Sequence, residues 1–181
     1  MWDLNSTRLK ELLTDLDEEA YFALGASEEK MPLVIAGGSA FILHEVTNRP
    51  VTHDVDILNA DSRLKGIIRN YPELNGDIAA FCDAIPYNYE NRLVALDIVT
   101  RAIGYYVPSL EDLAVMKLYA WRPNDIADLT NPSFLQQIDW DMLEHLVFND
   151  HEAKASCLSE RRYLEMVATY RQYARTWRAR R

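Results

Sequence analysis

Cysteine is almost missing from these 181 residues: Cys82 and Cys157 are the only two. They lie far apart and form no metal-ligand spacing, which argues against a disulfide scaffold and fits reduced thiols in a cytoplasm. Glycine is scarce as well, with six. Neither Gly-x-Gly-x-x-Gly nor Gly-Lys-Ser/Thr occurs, so the chain carries neither a dinucleotide fingerprint nor a Walker-type loop. No run approaches the ~20 apolar residues of a membrane span, and Met1-Trp2-Asp3-Leu4 lacks the basic-then-apolar build of a secretory leader. Basic charge is also short: 19 Lys and Arg stand against 28 Asp and Glu, for a net charge of −9. That balance argues against a general nucleic-acid binder.

What is present is enough for a packed core. Apolar residues make up 49% and charged residues 26%, values of a folded domain rather than a disordered chain. The length fits one domain with a helical appendage. Charge is unevenly spread. Residues 161–181 hold seven arginines (161, 162, 171, 175, 178, 180 and 181) against one acid, Glu165.

In chain order, residues 6–20 form a predicted helix, with Ser6 as cap and Leu9, Leu12, Leu13 and Leu16 as its apolar stripe. The acids that follow disfavour its far end. Residues 33–36 predict a buried strand ending at Gly37-Gly38, and residues 39–46 a helix behind it. Residues 53–58 predict a second strand, followed by a helix capped by Asp61 that carries Leu64, Ile67 and Ile68 inward. Residues 74–84 read as a short helix. Residues 87–100 remain open between helix and strand: 93–99 are apolar enough for a buried strand, yet Glu90, Leu93, Val94 and Asp97 share a helical face. A strand at 104–108 precedes a helix capped by Ser109, and Pro123 breaks that helix. Residues 139–148, with Met142, Leu143, Leu146 and Val147 inward, and a last helix from Ser159, with Tyr163, Val167, Tyr170, Ala174 and Trp177, complete the chain. The fold class is α/β (α+β): a small mixed sheet flanked by helices. The division is residues 1–130 as the main domain and 131–181 as a helical C-terminal part.

The chemistry gathers in two stretches. Gly37-Gly38-Ser39 forms a strand-to-helix turn, and Thr52-His53-Asp54-Val55-Asp56 follows it. Side chains at i and i+2 of a strand share a face, with Cα atoms roughly 6.5–7 Å apart. Asp54 and Asp56 therefore point together while Val55 and Ile57 enter the core. Two such carboxylates repel, and a hard divalent cation removes the penalty. The turn supplies backbone N–H groups suited to phosphate oxygens, Gly38 admits a close phosphate, and the Ser39 hydroxyl donates to it. The histidines at 44, 53, 145 and 151 show no ligand spacing. No Ser/His/Asp or Cys/His set stands out.

Gly37-Gly38-Ser39 followed by Arg49-x-x-Thr52-x-Asp54-x-Asp56 resembles the signature of the nucleotidyltransferase superfamily with its polymerase-beta-like fold, and in particular the AbiEii-type branch. A later block, Lys117 with Arg122-x-x-Asp125-x-x-Asp128, is similar to a helix of the same branch. The resemblance implies an enzyme that moves a nucleoside monophosphate from an NTP to a hydroxyl of an RNA, a protein or a small molecule. It implies two Mg²⁺ ions (or Mn²⁺) held by Asp54 and Asp56, with Asp97 as a third carboxylate if its region is extended. Gly37, Gly38, Ser39 and Lys117 would contact the phosphates, whereas Arg122, Asp125 and Asp128 anchor a helix end. Arg49 and Thr52 order the loop before the acid strand. Relatives include toxins of bacterial toxin–antitoxin pairs. Two other classes remain open: a catalytically inactive nucleotide- or partner-binding protein on the same fold, and a partner protein whose main feature is the basic last helix. That helix is either a solvated face or a landing strip for an RNA acceptor. The expected location is cytoplasmic.

Overall fold

The structure is a computed structural model that describes residues 3–26, 29–49, 51–76 and 84–180. The chain divides into two compact units. One contains residues 1–45, 49–78 and 93–107, and the other residues 46–48, 79–92 and 108–181.

The first unit begins with helix α1, Ser6–Leu24, which buries Leu9, Leu12, Leu13 and Leu16. Asn5, not Ser6, is its cap, accepting the Arg8 N–H at 2.9 Å. The helix runs through the acidic stretch to Gly25 because Asp17 has left solvent. Its carboxylate accepts the N–H groups of Arg101 at 2.7 Å, Ala102 at 2.8 Å and Ile103 at 2.7 Å. An acid that weakens a helix end is here an acceptor for three amides.

Among the described residues a five-stranded mixed sheet follows, with order β3-β2-β1-β5-β4: β1 Met31–Ala36, β2 Val55–Ala60, β3 Leu74–Asn75, β4 Val94–Ala95 and β5 Ile103–Val107. β1 is antiparallel to β2 and parallel to β5. Central β1 is buried except at Pro32, as expected of an apolar strand covered on both faces. Helix α2, Gly37–Leu43, packs on β1 and β2 through Phe41 and Ile42. Asp61 caps a 3-10 turn leading into α3, Lys65–Ile68, and Leu64, Ile67 and Ile68 are buried as the pattern predicts.

One stretch left open is decided here and one expectation is corrected. Residues 93–99 are neither a helix nor a buried strand: only Val94 and Ala95 form a strand, both exposed at the sheet edge, and Val99 is solvent-facing. Residues 74 and 75 form a strand rather than a helix start, because they pair with Val55 and Asp56. The remainder of that expected helix, residues 77–83 with Cys82, lies outside the described residues.

The second unit is helical: α4 Leu110–Ala120, α5 Pro123–Leu129, α6 Pro132–Gln137, α7 Trp140–Phe148, α8 Ala153–Ser156 and α9 Glu160–Trp177. Ser109 caps α4, accepting the Asp112 N–H at 3.1 Å, and Trp121 ends it in the left-handed region at φ 47°. Proline at the first position of α5 then starts a new helix in place of a kink. α4 packs on α7 and α9, so residues 108–130 group with the helices that follow them in this unit. Trp140 is buried in α7 while Met142 is exposed, and Met166 and Tyr173 join Tyr163, Val167 and Tyr170 on the buried side of α9. The Tyr173 hydroxyl donates to the Leu129 carbonyl at 2.7 Å, and that of Tyr163 to Val147 at 3.1 Å. Tyr173 and Tyr163 thus enter the core with their hydroxyls satisfied.

Arg92 ties this unit together. Its guanidinium contacts Asp112 at 2.8 Å and Glu152 at 3.0 Å, and Asn88 adds two bonds to Glu152. Burial works against charge at both Arg92 and Glu152, but the bonds between them prevail: the arginine is held above its usual range and the Glu152 carboxyl below its own. Among the described residues no helix is long and apolar enough to cross a membrane.

Two outcomes are expected. Asp17→Asn should cost about 2–4 kcal/mol in denaturant unfolding, because an amide cannot serve three N–H donors as a carboxylate does. Glu152→Gln should lower Tm at pH 7. A carboxyl whose pKa is depressed by folding stabilises above its unfolded value and stops doing so as pH falls through the folded one. The Tm difference between wild type and Glu152→Gln should therefore narrow below about pH 4.

Candidate active site

The first unit assembles the glycine turn and the acid strand. Asp56 stands opposite Ala36, the last residue of β1, in the antiparallel register. Its carboxylate lies against Gly37, which adopts φ 65°. A Cβ on Gly37 would overlap the Asp56 side chain, so the glycine serves both the backbone angle and the close approach. Gly38 is crowded by other groups: a Cβ there would be 2.7 Å from Arg49 Nη1 and 3.4 Å from Thr52 Oγ1. Thr52 is buried, pairs with Leu4 through two backbone bonds of 2.8 and 2.9 Å, and donates its hydroxyl to the Asp54 carbonyl at 3.2 Å. Burial alternates along this stretch. Val55 and Ile57 are buried, Asp56 is half-buried and Asp54 is exposed. Gly37, Gly38, Arg49, Thr52 and Asp56 are therefore gathered at one end of β1 and β2. Asp54 lies just before β2, which begins at Val55, so the strand expected over 53–58 carries only Asp56 of the two acids.

Other expected residues are placed differently. Ser39 is fully buried and its hydroxyl donates to the Ala36 carbonyl at 3.1 Å, which corrects the expectation of a hydroxyl aimed at phosphate. Asp97 is exposed, two residues beyond β4. Three strand spacings separate β4 from β2 in the sheet order, ~14 Å, so the sheet does not bring Asp97 beside Asp56. The reason is topological: β5 inserts between β4 and β1. In the second unit, Lys117 is buried, 3.1 Å from Asp125 and 2.8 Å from Asp128, rather than a flexible ammonium at the surface. Arg122 reaches Asp125 at 3.0 Å, and Thr47 donates to Asp128 at 3.0 Å. Burial raises the Asp125 pKa, but the Lys117 charge and the bonds around it win and hold it below the usual range. The ion network expected at this helix end is present, with Lys117 at its centre.

On α9, Arg161 pairs with Glu165 at 3.0 Å and Arg162 lies 4.6 Å from the Tyr119 ring centre; just past its end, Arg178 binds Asp141 and Glu144. Much of the basic charge is therefore met by acids and rings of the same unit.

One neighbour of the acids escaped sequence reading. Asn75 pairs with Asp56 across the parallel β2–β3 ladder and donates Nδ2–H to Asp56 Oδ1 at 3.3 Å. Only correct assignment of β3 could have found it, and two residues carry no strand periodicity.

Among the described residues no group of three or more His, Cys, Asp or Glu is arranged to hold a metal ion. Asp54 and Asp56 nevertheless suit Mg²⁺: both donors are hard oxygens, one is open to solvent, and Mg²⁺ is commonly held by one or two carboxylates together with substrate phosphates.

A family described as "Nucleotidyltransferase of unknown function (DUF6036)" matches residues 11–178. No curated protein and no solved structure matches the chain.

The glycine turn has a direct test. Gly37→Ala should lower Tm, since left-handed backbone costs a non-glycine residue about 1–2 kcal/mol and the added carbon displaces the Asp56 carboxylate. Gly66→Ala in α3, where a Cβ meets open space, should leave Tm unchanged or raise it by the equivalent of about 0.5–1 kcal/mol. Differential scanning calorimetry of the two variants checks both signs.

Proposed function

This chain belongs to the DUF6036 nucleotidyltransferase family, and from that membership we propose that it moves a nucleoside monophosphate from an NTP to a hydroxyl acceptor with Asp54 and Asp56 at its reaction centre. The supporting observation is the Asp56 carboxylate seated against Gly37 with Arg49 and Thr52 packed on Gly38. One acid of the Asp54-Val55-Asp56 stretch is thus joined to the turn, and Asp54 stands two residues before it. Asp54 and Asp56 would hold Mg²⁺ or Mn²⁺, and the bound ion would offset the triphosphate charge and favour the ionised acceptor. Asp56 is fixed by the turn and by Asn75, so its carboxylate costs little to orient. Asp54, the exposed member, is the one an acceptor can reach, and it takes the hydroxyl proton. The acceptor oxygen bonds to the α-phosphorus as the bond to the bridging oxygen breaks, and pyrophosphate departs. Ser39 holds the turn through Ala36, and Lys117 holds α4 to α5; neither is assigned a phosphate by its setting.

Incubation with each radiolabelled NTP and Mg²⁺, in the presence of total RNA and cell protein, tests the proposal. Label should appear in one acceptor class and fall by at least about 100-fold in Asp56→Asn, the scale of removing one electrostatic group from a reaction centre. The resemblance to AbiEii-type proteins adds a toxin–antitoxin setting: expression should arrest growth, and Asp56→Asn should relieve it. A second reading, an inactive nucleotide-binding protein, is favoured by the separation of Asp97 from the acid pair across the sheet. Metal-dependent NTP binding with no label transferred would select it.

A further inference from the structure

We propose that Arg49 grips the outer phosphates of the donor nucleotide; this rests on the nucleotide-binding reading above. Gly37 and Gly38 are consecutive, and each admits a charged group that a side chain would exclude. The Asp56 carboxylate lies on the first and the Arg49 guanidinium on the second. Neighbouring Cα atoms are about 3.8 Å apart, so an anion and a cation flank one short piece of backbone. A ligand that brings a cation to the carboxylates and carries further negative charge beyond it has its complement in this pair. A triphosphate chain is such a ligand and a nucleoside monophosphate is not.

The side chains present favour arginine for the task. A guanidinium offers a planar fork of N–H donors that matches phosphate oxygens two at a time. Arg49 is half-buried, so it is held without being sealed from solvent. Thr52, beside it on Gly38, is fixed by its two backbone bonds to Leu4. Lys117, the cation that the sequence pattern offers for phosphate, is buried against two carboxylates. Its charge is already outnumbered by theirs.

The test compares Mg²⁺-dependent binding of ATP, inorganic tripolyphosphate and AMP by isothermal titration to the full chain, its Arg49→Ala variant and its Arg49→Lys variant. Arg49→Ala should weaken ATP and tripolyphosphate by about 10- to 100-fold while leaving AMP within about twofold. Arg49→Lys, which keeps the charge and loses the fork, should fall between. An arginine that only orders the loop would weaken all three ligands alike, and that result, or no change at all, overturns the assignment while leaving the nucleotide-binding reading standing. If Arg49→Ala does not fold, the ATP-to-AMP ratio of Arg49→Lys decides in the same way. A wild type that binds neither ATP nor tripolyphosphate overturns both the nucleotide-binding reading and this one.

Discussion

One carboxylate resting where a side chain would otherwise be is the constraint on which the site depends. Asp56 can reach Gly37 only because β2 runs antiparallel to β1 in a register that sets Asp56 opposite Ala36. That register is held by the burial of Val55 and Ile57, since slipping by one residue would expose both and bury Asp56. Core packing and site geometry are therefore one specification: the hydrophobic alternation that builds β2 also aims Asp56. The positive φ at Gly37 follows from the same demand, because the chain must leave β1 and enter α2 without covering the carboxylate.

A second level of support comes from residues remote in sequence. Thr52 links Leu4 to the acid-bearing loop, and Asn75 links β3 to Asp56. The first is a backbone pairing and the second a side-chain bond across the β2–β3 ladder. The second unit repeats the habit with fuller charges: Arg92 between Asp112 and Glu152, and Lys117 between Asp125 and Asp128. In both clusters one cation meets two acids, so each is balanced only with the help of surrounding hydrogen bonds. Removing the cation from such a group strands like charges in a poorly solvated place, which is more damaging than removing either acid.

Much of this was legible in the residues. Two glycines before a helix-forming run, then Asp-x-Asp between apolar neighbours, have few physical solutions, and the mixed sheet followed from the alternation of short apolar runs with helical stripes. Asp61, Ser109, Asp139 and Ser159 stand at the helix starts where their side chains accept backbone N–H groups. What was not legible depended on pairing across long sequence distances. Nothing local says that β5 intrudes between β4 and β1, and this alone removes Asp97 from the acid pair. The setting of Lys117 was not legible because a single amphipathic stripe does not disclose that α5 brings Asp125 and Asp128 against it. Asp17 read as a burden on α1 because its acceptors' partners are more than eighty residues away.

The fastening of Asp17 to residues 101–103 has a dynamic counterpart. Turn amides normally exchange with solvent deuterium quickly, while helix and strand amides are slow. Here three successive N–H groups at the approach to β5 are clamped by one buried carboxylate on α1. Their deuterium uptake is consequently slaved to the opening of α1, so this corner and the first helix exchange as a single cooperative piece.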